Sequence, residues 1–402
     1  MKLNRGFKYI LKPNESQKRV LKHYMFVDNQ VRNICISLYQ KRYQENQAKP
    51  KDQRTYYKTM DLYYIAKKIL SERQIFFKTE LVLNAVRNFE KDFKLTFKVN
   101  GRGLPKYHSS EKHKHFVKNN QNLKVVDIDS KWSYIQFWGE KIKFRKHRPI
   151  KGKNLYASFT ENSAGEFFVS FCQEFDSPEL PQKSNAVGID LNIHNVTTSD
   201  GIVYLNGFQT KHSKKFKRLQ RKVSKKPKGT KNRKKLQLKL NKLHLKNANK
   251  IKDFNHKLSK GLTEGYGTII CEDLRNMQNS TKVQKGIKRN LSQVNFSQLL
   301  SFLEYKAKHN GTKVKRVDPS YTSKACSNCG AINNALSLRD RTYNCGVCGL
   351  SLDRDYNAAI NILNRGLGTS PSAYRAPVDL QYITYGEICK SKIGLGKNPG
   401  VL

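Results

Sequence analysis

The spacing of apolar residues predicts helices in the first quarter of the chain. Residues 2–12 form a strand-like pattern, and Pro13 and Asn14 directly after it are typical of a helix start. Apolar side chains then recur every three or four residues as far as Leu38, which predicts a helix of about seven turns. Further helical patterns occupy about 54–98 and combine an apolar side with a basic side.

The apolar period becomes two between about 120 and 180, which predicts β-strands. Segments such as SYIQFW and EFFVSFCQEF are bounded by Gly, Asn and Asp, and we expect them to form a small barrel with the first strand. The helices would then be an insertion into the barrel. The N-terminal half is therefore predicted to be a β-barrel (1–16 and 118–182) interrupted by a helical lobe (17–117).

The pattern that follows is mixed α/β, with strands expected around 186–191 and 266–272. Between them, residues 211–260 contain 21 Lys and Arg against the single acid Asp253, with one break at KKPKGT. This predicts a basic helical hairpin. Such a one-sided excess of charge favours a phosphate-contacting face over an ordinary solvated face. The last segment, 367–402, is rich in Gly, Ser and Pro without a clear period and is predicted to be a flexible tail.

The charge balance indicates that the protein binds nucleic acid. The 402 residues contain 77 Lys and Arg and 31 Asp and Glu, which gives a net charge of +46. A polyanion, most simply nucleic acid, is needed to screen such a charge, although a non-catalytic RNA-binding protein fits it equally well. No apolar stretch of about 18 residues could span a bilayer, and Lys8 and Lys12 interrupt the apolar residues at the N-terminus. We therefore expect a cytoplasmic protein without membrane partners.

Three acids lie where apolar patterns make a carboxylate unusual: Asp190 in AVGIDL, Glu272 in GTIICEDL and Asp355 in DRDYNAAINIL. Asp190 taken alone is better explained as an edge-strand acid that faces water. Asp355 shares the helical stripe of the small residues that follow it, whereas Asp353 is off that stripe and is expected to be the N-cap. Three convergent carboxylates would resist ionising unless divalent cations compensate them. This predicts a site for two Mg²⁺ (or Mn²⁺) ions, with Asp190 bridging them.

Two CxxC pairs give the most specific local pattern: Cys326 and Cys329, then Cys345 and Cys348, with 15 residues between the pairs. Four thiolates at this interval form a closed tetrahedral site, so we expect one structural Zn²⁺. The glycines beside the cysteines suit the tight turns of such a site. Because the second pair comes just before Asp355, the ribbon is predicted to be inserted into the catalytic fold.

These motifs in combination resemble the TnpB family of transposon-encoded, RNA-guided DNA nucleases, which is related to the type V CRISPR effectors. GIDL with SDG, IICEDLRNM, PSYTSKACSNCG and GLSLDRDYNAAINIL carry the resemblance, which covers the chain in order and is tightest between about 186 and 365. It implies an α/β RNase H-like (RuvC-like) nuclease domain (183–324 and 353–366) with an inserted zinc ribbon (325–352). It also identifies the N-terminal barrel as a wedge and the helical lobe as a recognition lobe.

Carried over by position, the family's catalytic acids fall on Asp190, Glu272 and Asp355, and its zinc ligands fall on the four ribbon cysteines. The family usually has Gly after GIDL. This chain has Asn192 there, and we expect Asn192 to take the positive φ of the turn.

The resemblance implies an RNA-guided DNA endonuclease with a guide RNA from the transposon end. The double-stranded target DNA would be read by base pairing, and the protein, a monomer in a ribonucleoprotein, would read a short flanking motif. Candidate nucleic-acid contacts in the helical lobe are Asn84, Arg87, Lys91 and Lys94, for which generic phosphate contact is equally open. An alternative is a DNA-binding repressor that does not cut. The presence of all three acids favours the nuclease.

Overall fold

The chain divides into two compact units, unit 1 (1–177) and unit 2 (178–402). The computed structural model describes residues 2–98, 103–150, 152–176, 183–206, 213–274, 295–337, 340–371 and 379–390.

Unit 1 begins with one strand and continues with three long helices. These are β1 (Lys2–Leu11), α1 (Glu15–Gln47), α2 (Thr59–Glu72) and α3 (Thr79–Lys98). Asn14 caps α1, since its side chain accepts from the backbone N–H of Gln17 while the Gln17 side chain accepts from the backbone N–H of Asn14. The predicted helix start is confirmed, but α1 has 33 residues and is longer than predicted. The helical pattern over 54–98 resolves into α2 and α3.

The remaining strands of unit 1 join β1 in one seven-stranded antiparallel sheet, ordered β2-β6-β7-β1-β5-β4-β3. They are β2 (His115–Asn119), β3 (Lys124–Asp127), β4 (Trp132–Phe137), β5 (Glu140–Arg145), β6 (Lys153–Glu161) and β7 (Phe167–Asp176). Because β1 pairs with both β5 and β7, the predicted pairing of the first strand with the later ones is confirmed. The three helices are an insertion between β1 and β2. β2 begins at His115, inside the range predicted for the helical lobe.

The core of unit 1 lies between the helices and one face of the sheet. Alternation along the strands places Phe116 and Phe159 on this face, where their rings stack with centroids 4.7 Å apart. Leu21 of α1 and Phe89 of α3 belong to the same buried cluster. The apolar sides of α1 and α3 therefore cover the sheet, and α2 packs against these two helices.

Unit 2 contains a six-stranded mixed sheet, ordered β12-β11-β8-β9-β10-β15, and a separate two-stranded hairpin, β13-β14. The strands are β8 (Ala186–Leu191), β9 (Asn195–Thr198), β10 (Ile202–Leu205), β11 (Thr268–Glu272), β12 (Lys313–Val317), β13 (Thr342–Asn344), β14 (Ser351–Asp353) and β15 (Gln381–Thr384). β8, β9 and β10 are antiparallel neighbours, whereas β11 is parallel to β8 and to β12.

Among the described residues, five helices accompany this sheet. They are α4 (Ser213–Ser224), α5 (Lys231–Gly265), α6 (Phe296–Asn310), α7 (Arg354–Leu367) and α8 (Tyr385–Lys390). α4 and α5 form the predicted basic hairpin, and Thr230 at the end of the KKPKGT break caps α5. Phe254 and Leu258 of α5 are buried together with Leu303 of α6, which attaches the hairpin to the sheet. Among the described residues, no helix combines the length and the apolar character needed to cross a bilayer.

The prediction of a flexible tail over 367–402 is wrong for residues 379–390. β15 pairs with β10 in parallel register, and Ile388 of α8 is 3% exposed within the core. The Tyr385 hydroxyl also donates to Asp253 Oδ2 at 2.7 Å. Four residues are too few to show a strand period, and the pairing partner lies far away in the sequence. Residues 372–378 and 391–402 of the predicted tail lie outside the described residues.

Candidate active site and zinc ribbon

Two of the predicted acids lie side by side on neighbouring parallel strands. β11 pairs with β8 in a register that ends with Cys271 opposite Ile189, so Glu272 and Asp190 occupy the next matched positions. Residues two apart on a strand point to the same face. Asp190 therefore shares its face with Gly188, and Glu272 shares its face with Ile270, which is the partner of Gly188.

Helix α7 brings Asp355 to the same face because Gly188 allows it to lie close to β8. A Cβ atom at Gly188 would be 2.2 Å from the backbone oxygen of Ala359 and 2.6 Å from the backbone nitrogen of Leu363. Ile270 packs with Leu363 beneath this helix. Asp355 is one turn before Ala359, on the same side of α7, and the helix thus directs its first turn toward Asp190.

The pKa of the Asp190 carboxyl reflects the closeness of the three acids. Asp190 is 8% exposed. Burial, followed by the negative charges of Glu272 and Asp355, raises the pKa of the Asp190 carboxyl to about 8. Glu272 and Asp355 are half-buried, and burial is the largest cause that raises the pKa of each. Arg354, Arg341 and Arg365 offset this negative charge only in part, since the pKa of all three carboxyls stays raised. A bound cation would complete the compensation.

Each of the three carboxylates accepts a hydrogen bond from one neutral side chain. Asn192 donates to Asp190 Oδ2 at 2.7 Å, and Asn195 donates to Asp355 Oδ2 at 3.4 Å. The Thr322 hydroxyl donates to Glu272 Oε1. Neutral donors fix an oxygen without supplying a positive charge, so the negative charge of the site is preserved.

The expected positive φ of Asn192 is wrong. Asn192 is not among the positive-φ residues of the described chain, and its backbone N–H instead closes the β8–β9 turn on Asn195 O at 3.0 Å. An amide at this position acts through its side chain on Asp190, which glycine could not do.

Asp353 and Asp355 have the separate roles that their positions predict. Asp353 is the N-cap of α7, with one carboxylate oxygen accepting from the backbone N–H groups of Asp355 and Tyr356 at 2.9 and 3.0 Å. The charge of Asp353 also raises the pKa of Asp355, after the larger effect of burial. Asp353 therefore holds the helix end and leaves Asp355 as the acid that faces Asp190.

The four predicted zinc ligands form one cluster. The sulfur atoms of Cys326, Cys329, Cys345 and Cys348 all lie within 4.8 Å of one another. Burial raises the pKa of the Cys326 thiol to about 12, whereas a backbone hydrogen bond from Leu350 lowers that of Cys348 to about 6. Four sulfurs this close together fit a tetrahedral Zn²⁺, which would hold all four as thiolates.

Two asparagines of α7 attach the ribbon to the helix that carries Asp355. Asn357, which is fully buried, accepts from the backbone N–H of Ser327 at 3.0 Å and donates to Ala325 O at 2.8 Å. Asn361 donates to Thr322 O at 2.9 Å and also to Ala325 O. The first cysteine loop is thereby fixed to the face of α7 that follows Asp355.

Sequence reasoning missed the supporting polar residues Asn192, Asn195, Thr322, Asn357 and Asn361. A signal for the last two is present, because two asparagines four apart interrupt the apolar stripe of DYNAAINIL on one helix face. Thr322 leaves no such signal, since its partner Glu272 is fifty residues away.

The candidate contacts on α3 separate into one buried and three exposed residues. Arg87, Lys91 and Lys94 are exposed. Asn84 is 4% exposed and donates to Val117 O of β2 at 3.3 Å, so its inclusion among the nucleic-acid contacts is corrected. Helical position alone did not distinguish the basic side from the side that covers the sheet.

Three family models match separate parts of the chain. Residues 170–284 match a model described as a probable transposase, and residues 296–362 match the TNB domain of Cas12f1-like proteins, which includes all four ribbon cysteines. Residues 1–48 match a model described as a helix-turn-helix domain. In this chain the segment matched by the helix-turn-helix model consists of β1 followed by the single helix α1.

Two relatives are similar in sequence to about half of this chain. A putative RNA-guided DNA endonuclease of Streptomyces pristinaespiralis is 34% identical over 234 residues, which are 57% of this chain and 57% of that protein. The chain thus spans little more than half the length of this relative. A TnpB-like protein of Methanocaldococcus jannaschii is 34% identical over 207 residues, which are 47% of this chain and 71% of that protein.

One solved structure shares the fold over most of its length. A cryo-EM structure of a Cas12f1–sgRNA–target DNA complex aligns with a TM-score of 0.57 at 16% identity, covering 86% of this chain and 83% of that chain. At this level of identity the likeness concerns the fold alone.

Proposed function

The chain belongs to the TnpB family, and from this premise we propose that it is an RNA-guided DNA endonuclease that hydrolyses the phosphodiester bonds of target DNA. The observation that carries the proposal is the buried carboxylate of Asp190, whose pKa is raised by burial and by the charges of Glu272 and Asp355. A cluster of this kind is unfavourable in a merely structural role.

Asp190, Glu272 and Asp355 would hold two Mg²⁺ (or Mn²⁺) ions. Their donor atoms are all carboxylate oxygens, the ligands that these hard cations prefer, and a bound cation relieves the repulsion that raises the pKa of Asp190. When bound, the ions supply an activated water and stabilisation of the leaving 3′ oxygen. Asn192, Asn195 and Thr322 each orient one oxygen of a carboxylate, and the other oxygen would bind the cation.

The strand order supports an RNase H-like, RuvC-like nuclease domain over 183–324 and 353–366, with the ribbon (325–352) inserted. Three antiparallel strands, β8 to β10, are followed by two parallel ones, β11 and β12, on the other side of β8. In unit 1, we assign the seven-stranded sheet to a wedge barrel and α1 to α3 to a recognition lobe.

The basic surfaces are proposed to bind the guide RNA and the target DNA. Residues 211–260, which include α4 and most of α5, contain 21 Lys and Arg and the single acid Asp253, which is itself engaged by Lys257 at 2.8 Å. On α3 the exposed Arg87, Lys91 and Lys94 offer further phosphate contacts. Base pairing by the guide would supply sequence recognition, and the protein, acting as a monomer, would read the short flanking motif.

A repressor that binds DNA without cutting is the second candidate, and one variant separates the two. RNA that co-purifies with the protein is sequenced, and plasmids carrying its complement beside randomised flanking sequence are incubated with wild type and Asp190→Ala in Mg²⁺. We expect wild type to cut. We expect Asp190→Ala to lose at least about a hundredfold in rate while it retains RNA and target binding. Cutting by Asp190→Ala at the wild-type rate would refute the site, and an uncut plasmid that is bound by wild type would favour the repressor.

A further inference from the structure

A second group of metal-ligating side chains lies in unit 1, away from the acids and the ribbon. Asp28 of α1 and the pair His113 and His115 at the start of β2 each offer one ligand atom, and these atoms lie within 4.8 Å of one another. The two imidazole rings have centroids 4.3 Å apart, and His113 Nε2 is 2.7 Å from Asp28 Oδ2. The acid is 85 residues from its nearer partner along the sequence. Proximity along the chain therefore does not explain the cluster.

The carboxylate of Asp28 is incompletely satisfied. Asp28 is 4% exposed and His113 is 5% exposed. Asp28 Oδ2 is engaged by His113, but the other oxygen, Oδ1, is buried without a hydrogen-bond partner. A buried ionised oxygen with no donor is destabilising, and in proteins such an oxygen is normally paired or coordinated to a metal. An ion pair with His113 leaves this oxygen unexplained.

Two basic residues near the cluster are engaged by other acids. Arg32, one turn after Asp28 on α1, pairs with Asp92 at 2.9 Å. Lys114, between the two histidines, lies 3.8 Å from Glu161. Neither Arg32 nor Lys114 supplies a hydrogen bond to the buried Oδ1 of Asp28.

We propose that Asp28, His113 and His115 form a second zinc site, independent of the ribbon. Two imidazoles and one carboxylate are a donor set that proteins use to bind Zn²⁺. Three protein ligands leave one position of a tetrahedral Zn²⁺ open, which a water molecule would fill. Because Asp28 lies in α1, the first helix of the insertion, and the two histidines lie where β2 begins after it, the metal links the two ends of the insertion.

Zinc content measures this proposal directly and does not depend on nuclease activity. The full-length protein is equilibrated with excess Zn²⁺, desalted and assayed for zinc per chain by mass spectrometry. Wild type is expected to hold two equivalents. His115→Ala, which changes an exposed residue, is expected to hold one. His108→Ala removes an exposed histidine outside the cluster and is expected to hold two.

Cobalt substitution shows which of the two metal sites is lost in His115→Ala. In His115→Ala reconstituted with Co²⁺, the thiolate charge-transfer absorption of the ribbon should equal that of wild type, while total cobalt falls from two equivalents to one. One zinc in the wild-type protein, or two in His115→Ala, would overturn the proposal. Equal loss in His108→Ala would also contradict it, because the metal would then be bound elsewhere.

Discussion

The hydroxyl of Thr322 donates a hydrogen bond to the carboxylate of Glu272, which joins the base of the zinc ribbon to an acid at the end of β11. The backbone oxygen of Thr322 in turn accepts from Asn361 of α7 at 2.9 Å. Asn357 of the same helix binds the backbone at Ala325 and Ser327. The ribbon, the Glu272 strand and the Asp355 helix are thus parts of one hydrogen-bonded network.

Thr322→Val is expected to slow target cleavage by about ten- to a hundredfold, because it keeps the shape of the side chain but removes the donor to Glu272. The hydrogen bond from Thr322 lowers the pKa of Glu272, so the pH at which cleavage becomes half-maximal should also rise. Cleavage rates measured across pH test this expectation. Thr322→Ser retains the hydroxyl and should cleave close to the wild-type rate; equal losses in both variants would indicate a packing role instead.

Stability in Mg²⁺-free buffer should depend on pH through Asp190. The pKa of the Asp190 carboxyl is 3.8 in the unfolded chain and about 8 in the folded one, so the folded state binds the proton more tightly. This contribution to the free energy of unfolding is fully present below pH 3.8 and is lost as the pH rises toward about 8. We therefore expect the unfolding temperature of wild type to fall between about pH 4 and pH 8 relative to Asp190→Asn. Added Mg²⁺ should offset the fall, most at the alkaline end. Parallel pH curves for the two proteins would show that Asp190 is not in this environment.

Cys345→Ser is expected to remove one equivalent of zinc and to lower the unfolding temperature, because zinc binding and folding of the ribbon are coupled. Cleavage should fall as well, since Asn357 and Asn361 connect the ribbon to the Asp355 helix. Zinc analysis, thermal unfolding and cleavage assays check the three effects. Cys172→Ser, which changes a half-buried cysteine of unit 1, is the matched control. Unchanged zinc content and melting temperature in Cys345→Ser would count against the ribbon.

Much of the fold is visible in the sequence because it arises from local periodicity. The α4–α5 hairpin is marked by its KKPKGT break, and the start of α1 by Asn14. β15 could not be found in the same way, since its stability depends on pairing with β10 and on burial of Ile388. Short segments that are held by distant partners carry no period of their own.

The candidate site also combines residues that the sequence pattern predicts with contacts that it does not predict. Asp190, Glu272 and Asp355 attract attention because charge in an apolar pattern needs compensation. The pairing register that places Glu272 beside Asp190 could not be predicted, because it depends on tertiary structure. The same is true of the close approach of α7 at Gly188. Asn84 illustrates the opposite error, because helical position alone suggests a nucleic-acid contact whereas its amide is buried against Val117 O.

The most direct measurement of the central claim compares two aspartates at the start of one helix. In Asp355→Asn the capping residue is untouched and one proposed metal ligand is lost, whereas Asp353→Asn exchanges the N-cap for a residue that caps equally well. The rate of Mg²⁺-dependent target cleavage should fall by at least about a hundredfold in Asp355→Asn and stay close to wild type in Asp353→Asn. Wild-type cleavage by Asp355→Asn, or an equal loss in both variants, would contradict the account.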